Sequence, residues 1–573
     1  MKHMSNELLI RNGRIYTMDE SDSLAEAVLL RDGRVVAVGS ARELTPLASR
    51  AAATLDLEGA IIVPGLLDTH PHLLHYGAIE APLVRLWDCR DHAEIVARLA
   101  ERAALSPPGA WVQATPIGEP HFFFRRSYRD LREAVLPDRR VLDRASDQHP
   151  IVIQAWAPVR PSCMAFNSLA LHRLGITRDT PDRVDNVWIE KDATGEPTGI
   201  VTGSVINYYG FDGFGARLWR TIPFLQMAEV MPGTAAAITA YHRQGVTGIY
   251  ENHMMEPILI EAYRQLQRTG GLAMRVLVSQ EAESYGMPWS EPRSDRHFQE
   301  LLEHAARGVD LEHARLRLNG LTIMWDGYCF GGAQMMRAPY LDVYGCPTRG
   351  HRHITPERAE QVMRFCAERR IRLNVLAMGT RAHDEVLALL ERVAVEHELP
   401  SLNWVLVHAT TIEPGHAARY KRLNFACTTS MTFCWGEGEL IRRSMGSRAL
   451  DDLVPLRRLL DAGLDVSGST DWGPKNPWKQ LELALTHEFG ESGYRNRGDA
   501  QRISRVEALA MLTRSAARVM RWSGIGSIRA GGHADLVVVD RDPIECPVDA
   551  LGETRVMRTI FDGATVYDSG ELV

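Results

Sequence analysis

The chain has 573 residues, 45% apolar and 24% charged, with 46 Gly and 29 Pro. That composition excludes a disordered, collagen-like or low-complexity chain, and at roughly 100–200 residues per domain the length suggests three units unless one long α/β barrel takes most of it. Lys and Arg number 65 against 72 Asp and Glu, a net charge of −7 that offers no basic footprint for nucleic acid or an anionic membrane. The first twenty residues hold no apolar stretch of signal-peptide length, and no segment approaches the ~20 apolar residues of a membrane helix. The eight cysteines show no CxxC spacing, so reduced thiols in a cytoplasmic protein are the expectation.

In chain order, residues 7–63 read as short strands broken by turns, LLIRNGRIYTM and then AVLLRDGRVVAVG. Asn12-Gly13 and Asp32-Gly33 are hairpin signals, because a type I′ turn needs positive φ at both central residues. The middle of the chain alternates candidate strands with helical patterns. The strands are Ile61–Val63, Ile151–Gln154, Gly248–Tyr250, Ala273–Val278, Leu318–Met324, Arg372–Leu376, Trp404–Val407 and Asp465–Ser467. Between them, PERAEQVMRFCAERR, RAHDEVLALLERVAVEH and LVPLRRLLDAGL place apolar residues at helical spacing. This alternation predicts parallel strands with crossover helices, and about eight strands point to a closed barrel. Residues 525–568 return to the opening style, with another Asp-Gly at 562–563. The two ends are therefore expected to form one small β-domain.

The stretch IIVPGLLDTHPH carries the most chemistry. An apolar strand runs into His70-x-His72, and side chains two apart on an extended strand point the same way, so both can meet one metal ion. At the C-terminal end of a barrel strand they stand where barrel active sites are built.

VPGLLDTHPH resembles the first-strand metal motif of the amidohydrolase superfamily, and GSIRAGGHADLVVVDRDP with VMRTIFDGATVY resembles its C-terminal signature. SGSTDWGPKNPW is similar to the eighth-strand segment, its aspartate matching Asp471, and NWVLVHATTIEP to the sixth, its histidine matching His408. LDRASDQHPIVIQAWAPVRPSCMAFNSLALHRLGIT and HRQGVTGIY extend the likeness to the branch of YtcJ-like proteins and N-substituted formamide deformylases. The resemblance implies a (β/α)8 TIM barrel with a small β-sandwich, divided as residues 1–63, 64–520 and 521–573. It also implies a divalent metal, zinc by default, that activates water for hydrolysis. His70, His72, His408 and Asp471 are then the metal ligands, with Asp471 shuttling the proton and His408 beside it in the catalytic set. The plain alternatives are a core histidine for His408 and a helix cap for Asp471.

Two positions depart from the pattern. The fourth-strand lysine that bridges two metals in this branch is matched by Thr322, and the fifth-strand histidine by Leu376. Neither can serve a binuclear centre, so one ion is expected. Substrate-binding candidates are Glu119 and His121, in a loop with three aromatics and two arginines, Glu251 and His253 after a strand, and Trp325 and Asp326 in MWDGYCFGG. Each has an ordinary loop or turn as its alternative. Cys329 is read as a packed thiol. The expected activity is metal-dependent hydrolysis of a non-peptide C–N bond, of amide or formamide type, in a small molecule. The rivals are a C–C lyase, decarboxylase or isomerase on the same barrel, and a non-catalytic binding protein. No nucleic-acid or membrane partner is expected, and a homodimer is left open.

Overall fold

The computed structural model describes residues 7–50, 52–80, 82–118, 126–156, 162–207, 213–223, 227–283, 293–309 and 313–571. Its centre is a sheet of eight parallel strands in sequential order: β1 Leu66–Asp68, β2 Val246–Glu251, β3 Arg275–Glu281, β4 Leu316–Met324, β5 Arg372–Ala377, β6 Val405–His408, β7 Ala426–Ser430 and β8 Val466–Ser469. The sheet closes on itself: the Thr69 hydroxyl, just past β1, donates to the Gly468 carbonyl of β8 at 3.0 Å. Helices fill the crossovers, including Pro257–Arg268, Pro356–Arg369, Thr380–Glu396 and Pro414–Arg422. Strands covered in this way lose the alternation of apolar and polar residues, and every residue of β2, β3 and β5 is buried. The predicted helix at 356 shows why the pattern was readable. Thr355 caps it by accepting from the Arg358 N–H, Pro356 takes the first turn, and Ala359, Val362, Met363 and Cys366 form one buried stripe.

Six of the expected strands lie in the barrel, and two do not. Ile61–Pro64 belongs to the small β-region, and Ile151–Ile153 belongs to a separate six-stranded sheet inserted between β1 and β2. That insert runs through Val112–Ala114, Ile151–Ile153, Cys163–Phe166, Pro197–Gly203, Val187–Lys191 and Arg183–Val184. It has its own apolar core, in which Ile95 and Leu99 of the helix His92–Leu105 pack on Val112, Ile151 and Ile153. Strands β1 and β7 complete the barrel in place of the two.

The chain ends meet as expected. One sheet joins Arg14–Tyr16, Leu24–Ala25 and Ile61–Pro64 to Leu536–Val539, Val556–Phe561 and Ala564–Asp568. A second, four-stranded sheet from residues 7–56 packs on it through Ile10, Val28 and Leu30 against Ile62, Leu536 and Val538. Asp32-Gly33 and Asp562-Gly563 are tight hairpins with positive φ at both residues. Asn12-Gly13 is not a hairpin: the strands on either side of it lie in different sheets, so the turn is a corner between them. Gly65 links this β-region to β1. A Cβ there would stand 2.2 Å from the Thr247 hydroxyl, so only glycine lets the two regions approach.

Candidate metal centre

The barrel brings His70, His72, His408 and Asp471 to one point at the C-terminal ends of β1, β6 and β8. All four are buried to 2% exposure or less. The Nε2 atoms of His70 and His72 are 3.1 Å apart. Asp471 Oδ1 lies 3.7 Å from His70 Nε2 and 3.4 Å from His72 Nε2, and its Oδ2 lies 3.8 Å from His408 Nδ1. Donor atoms of His70, His408 and Asp471 fall within 4.8 Å of one another. His72, His408 and Asp471 each hold a positive φ, of 50°, 76° and 48°. Such backbone is uncommon outside glycine and costs about 1–3 kcal/mol per residue, and it clusters at functional sites.

Several buried polar atoms of this cluster lack a hydrogen-bond partner: Nδ1 of His70 and His72, Nε2 of His408 and Oδ2 of Asp471. Each such atom costs about 1–3 kcal/mol unless something else satisfies it. The nitrogens that face the cluster, Nε2 of His70 and His72 and Nδ1 of His408, make with the Asp471 carboxylate a donor set for a divalent cation. Two imidazoles sharing an ion at about 2.1 Å place their ring centres roughly 4.5–6 Å apart, depending on the bond angle. The His70–His72 and His70–His408 centroids are both 4.7 Å apart, so the residues fit the ion. Burial drives the pKa of His70, His72 and His408 well below that of free histidine, leaving the neutral imidazole that binds metal. Burial also pushes the Asp471 carboxyl up to about 7, against the nearby Lys475 cation.

Three neighbours hold this geometry. Asp68, the aspartate of the first-strand motif, accepts from the Thr470 hydroxyl at 2.7 Å and from the His70 N–H at 3.2 Å, tying the β1 loop to the β8 loop. Trp472 stacks on the His72 ring at 4.2 Å and 14°. Lys475 donates to the Pro71 and Asp471 carbonyls. Burial lowers its pKa, and Glu80, Asp68, Asp471 and Glu251 raise it. Lys475 lies in the SGSTDWGPKNPW segment, four residues after Asp471, and that spacing was the available signal for it. Tyr328 and Phe433 lie beside His408, the Phe433 ring edge-on at 4.8 Å, and Phe330 stacks on Tyr328.

The two departures are built into the wall. The Thr322 hydroxyl donates to the Asn252 carbonyl at 2.7 Å and accepts from Asn374 at 3.2 Å. Leu376 is fully buried in the core. Of the substrate-binding candidates, Glu119 and His121 lie outside the described residues. Glu251 accepts from the Leu74 N–H at 3.0 Å and the Tyr263 hydroxyl at 2.7 Å, so it anchors the segment after His72, and burial pushes its carboxyl up to about 7. His253 joins the cluster, its ring centre 5.8 Å from that of His70 and 5.7 Å from that of His72. Trp325 and Asp326 are not brought to it. The Trp325 indole donates outward to Glu385 at 3.2 Å. Asp326 accepts three backbone N–H groups, from Met335, Met378 and Gly379, at 2.8–3.0 Å. It clasps the β4 and β5 loops, although burial still pushes its carboxyl up to about 7. Cys329 is buried in the core.

A closed eight-stranded barrel with a histidine–carboxylate cluster at its C-terminal mouth defines a class of hydrolase. The chain belongs to the amidohydrolase family, whose model matches residues 53–567, and is a hydrolase acting on C–N bonds other than peptide bonds. It is 27% identical to the N-substituted formamide deformylase of Arthrobacter pascens over 98% of both chains. It is 25% identical to YtcJ of Bacillus subtilis (strain 168), over 97% of this chain and 98% of the relative. Among solved structures, an uncharacterized metal-dependent hydrolase from Pyrococcus horikoshii OT3 has the same fold, with a TM-score of 0.71 and 18% identity, covering 95% of this chain and 99% of that one. Among the described residues, no helix is long and apolar enough to cross a membrane.

Proposed function

We propose that the enzyme hydrolyses an amide-type C–N bond, formamides included, in a small molecule, using a single divalent ion held by His70, His72, His408 and Asp471. Zinc is the ion favoured by this nitrogen-rich donor set. The observation that carries the reading is the cluster itself: four buried side chains from three strands, with donor atoms of His70, His408 and Asp471 within 4.8 Å of one another and the Nε2 atoms of His70 and His72 3.1 Å apart. A cation at that point supplies Lewis-acid chemistry and a nucleophile at neutral pH. The protein's own groups do the rest. Asp471 Oδ2, with no hydrogen-bond partner, can take the proton of the attacking water and return it to the departing nitrogen. Trp472 and Asp68 fix the two loops, so His72 and His70 need not reorganise. Tyr328, Phe330 and Phe433 line an aromatic side suited to an apolar substituent. The domain reading that goes with this takes residues 64–520 as the barrel with its insert, and 1–63 with 521–573 as the β-unit, in a cytoplasmic enzyme.

The test is a panel of N-substituted formamides, other amides and carboxylic acids, followed by product analysis. Release of an amine and a carboxylic acid, abolished by Asp471→Asn, is the expected result. Release of CO2 or a C–C cleavage product from the acids, with no amine from the amides, would replace hydrolysis by lyase chemistry. Tight binding without turnover across the panel would make the chain a binding protein.

A further inference from the structure

The fifth-strand histidine is lost at Leu376, yet a fourth histidine stands in the cluster from another strand. His253 follows the end of β2, is 1% exposed, and has its ring centre 5.7 and 5.8 Å from those of His72 and His70. Those separations lie within the roughly 4.5–6 Å expected for imidazoles that share one ion. Its Nδ1 is 2.9 Å from Oε2 of Glu281, the fully buried last residue of β3. The same oxygen accepts the Met254 N–H at 2.8 Å, and the Glu281 N–H donates to the Met255 carbonyl at 3.0 Å. The turn that carries His253 is therefore pinned to β3 at three points. A carboxylate accepts and does not donate, so a neutral His253 ring held in this way donates from Nδ1 and has Nε2 as its ligating nitrogen. A histidine whose outer nitrogen donates to a buried carboxylate is the arrangement that orients metal-ligating imidazoles and raises their basicity.

We propose that His253, oriented by Glu281, is a further ligand of the metal centre and takes the place that Leu376 cannot fill. The ligand has in effect moved from β5 to the β2 loop, with its carboxylate support on β3. This assignment rests on the metal reading proposed above. It separates His253 from Glu251 two residues earlier, whose carboxylate is occupied by Leu74 and Tyr263. It also accounts for a buried acid on β3 that the hydrolytic scheme does not otherwise use.

The experiment measures zinc per chain and zinc affinity, by chelator competition, for the full-length wild type and for His70→Ala, His253→Ala, His253→Asp and Glu281→Gln. The expected results are a loss of at least about tenfold in affinity for His253→Ala and for Glu281→Gln, with partial recovery in His253→Asp, which restores a ligand oxygen. A cobalt-loaded sample provides a second readout, since loss of an imidazole changes its visible spectrum. Circular dichroism checks folding, and if His253→Ala does not fold, Glu281→Gln and His253→Asp decide the question. Wild-type affinity in His253→Ala, alongside loss of zinc in His70→Ala, overturns this assignment and leaves the hydrolase reading standing. A wild type that takes up no divalent metal overturns both.

Discussion

The two ends of the barrel handle buried charge in opposite ways. At the N-terminal end, Arg275 opens β3 with its guanidinium buried, and its two terminal nitrogens donate to Asp535 and Asp562 of the small β-region. Arg315 reaches Asp562 as well at 3.2 Å, and both guanidinium groups lie over the Phe561 ring. At the C-terminal end, His70, His72, His408 and Asp471 are just as buried, yet each keeps a polar atom with no partner, and three of them sit on strained backbone. Paired charge at the floor holds two regions of the chain together. Partnerless polar atoms together with strained backbone at the mouth carry a stability cost, as expected where a site is kept for function rather than for folding.

Substitution should expose this difference. Asp471→Asn is isosteric and removes the proton carrier, so kcat should fall by about 10²–10⁴-fold, with the melting temperature of the metal-free protein nearly unchanged. Steady-state kinetics and calorimetry on one preparation read both. Arg275→Ala should do the reverse. Leaving Asp535 and Asp562 without their partner costs about 3–5 kcal/mol in denaturant unfolding, while kcat of the folded enzyme stays within about twofold.

Acid should destabilise the floor. Burial raises the Asp562 carboxyl, but the His533 hydrogen bond and the Arg275 and Arg315 charges outweigh it and hold the pKa at about 2. A carboxylate depressed below its unfolded value contributes stability above pH ~4 and loses it as pH falls through 2. Unfolding free energy should therefore drop by about 2 kcal/mol across that window, a drop that Asp562→Asn removes. The smallest effect is expected at Thr322. Thr322→Val loses the hydrogen bonds to Asn252 and Asn374 and should cost about 1–2 kcal/mol, with metal content unchanged. A fall in bound metal there would mean that β4 contributes to the centre.

The barrel was legible where pattern and burial agree. PERAEQVMRFCAERR became a capped helix with one buried stripe, and the run around Leu318–Met324 became β4. β7 escaped notice because ACTTS looks polar. Its Thr428 hydroxyl meets Thr69 at 2.6 Å inside the barrel, where a layer of hydroxyl groups replaces apolar packing. Ile151–Ile153 is a sound strand by local pattern, but local pattern does not say which sheet a strand joins, and the insert claimed it. In the site, the family-like motifs carried His70, His72, His408 and Asp471 to one point. Asp326 misled because an aspartate before glycine at a strand end reads equally as a turn or a site residue, and here three backbone donors take it. Glu281 left no trace in RVLVSQE, since only the closing of β3 against the β2 loop gives that carboxylate a histidine.

The most direct test of the central claim is anomalous diffraction at the zinc absorption edge from crystals of the zinc-loaded protein. A single peak bounded by His70, His72, His408 and Asp471 is the predicted result. Two peaks, one of them beside Thr322 and Leu376, or none within the histidine cluster, would contradict it.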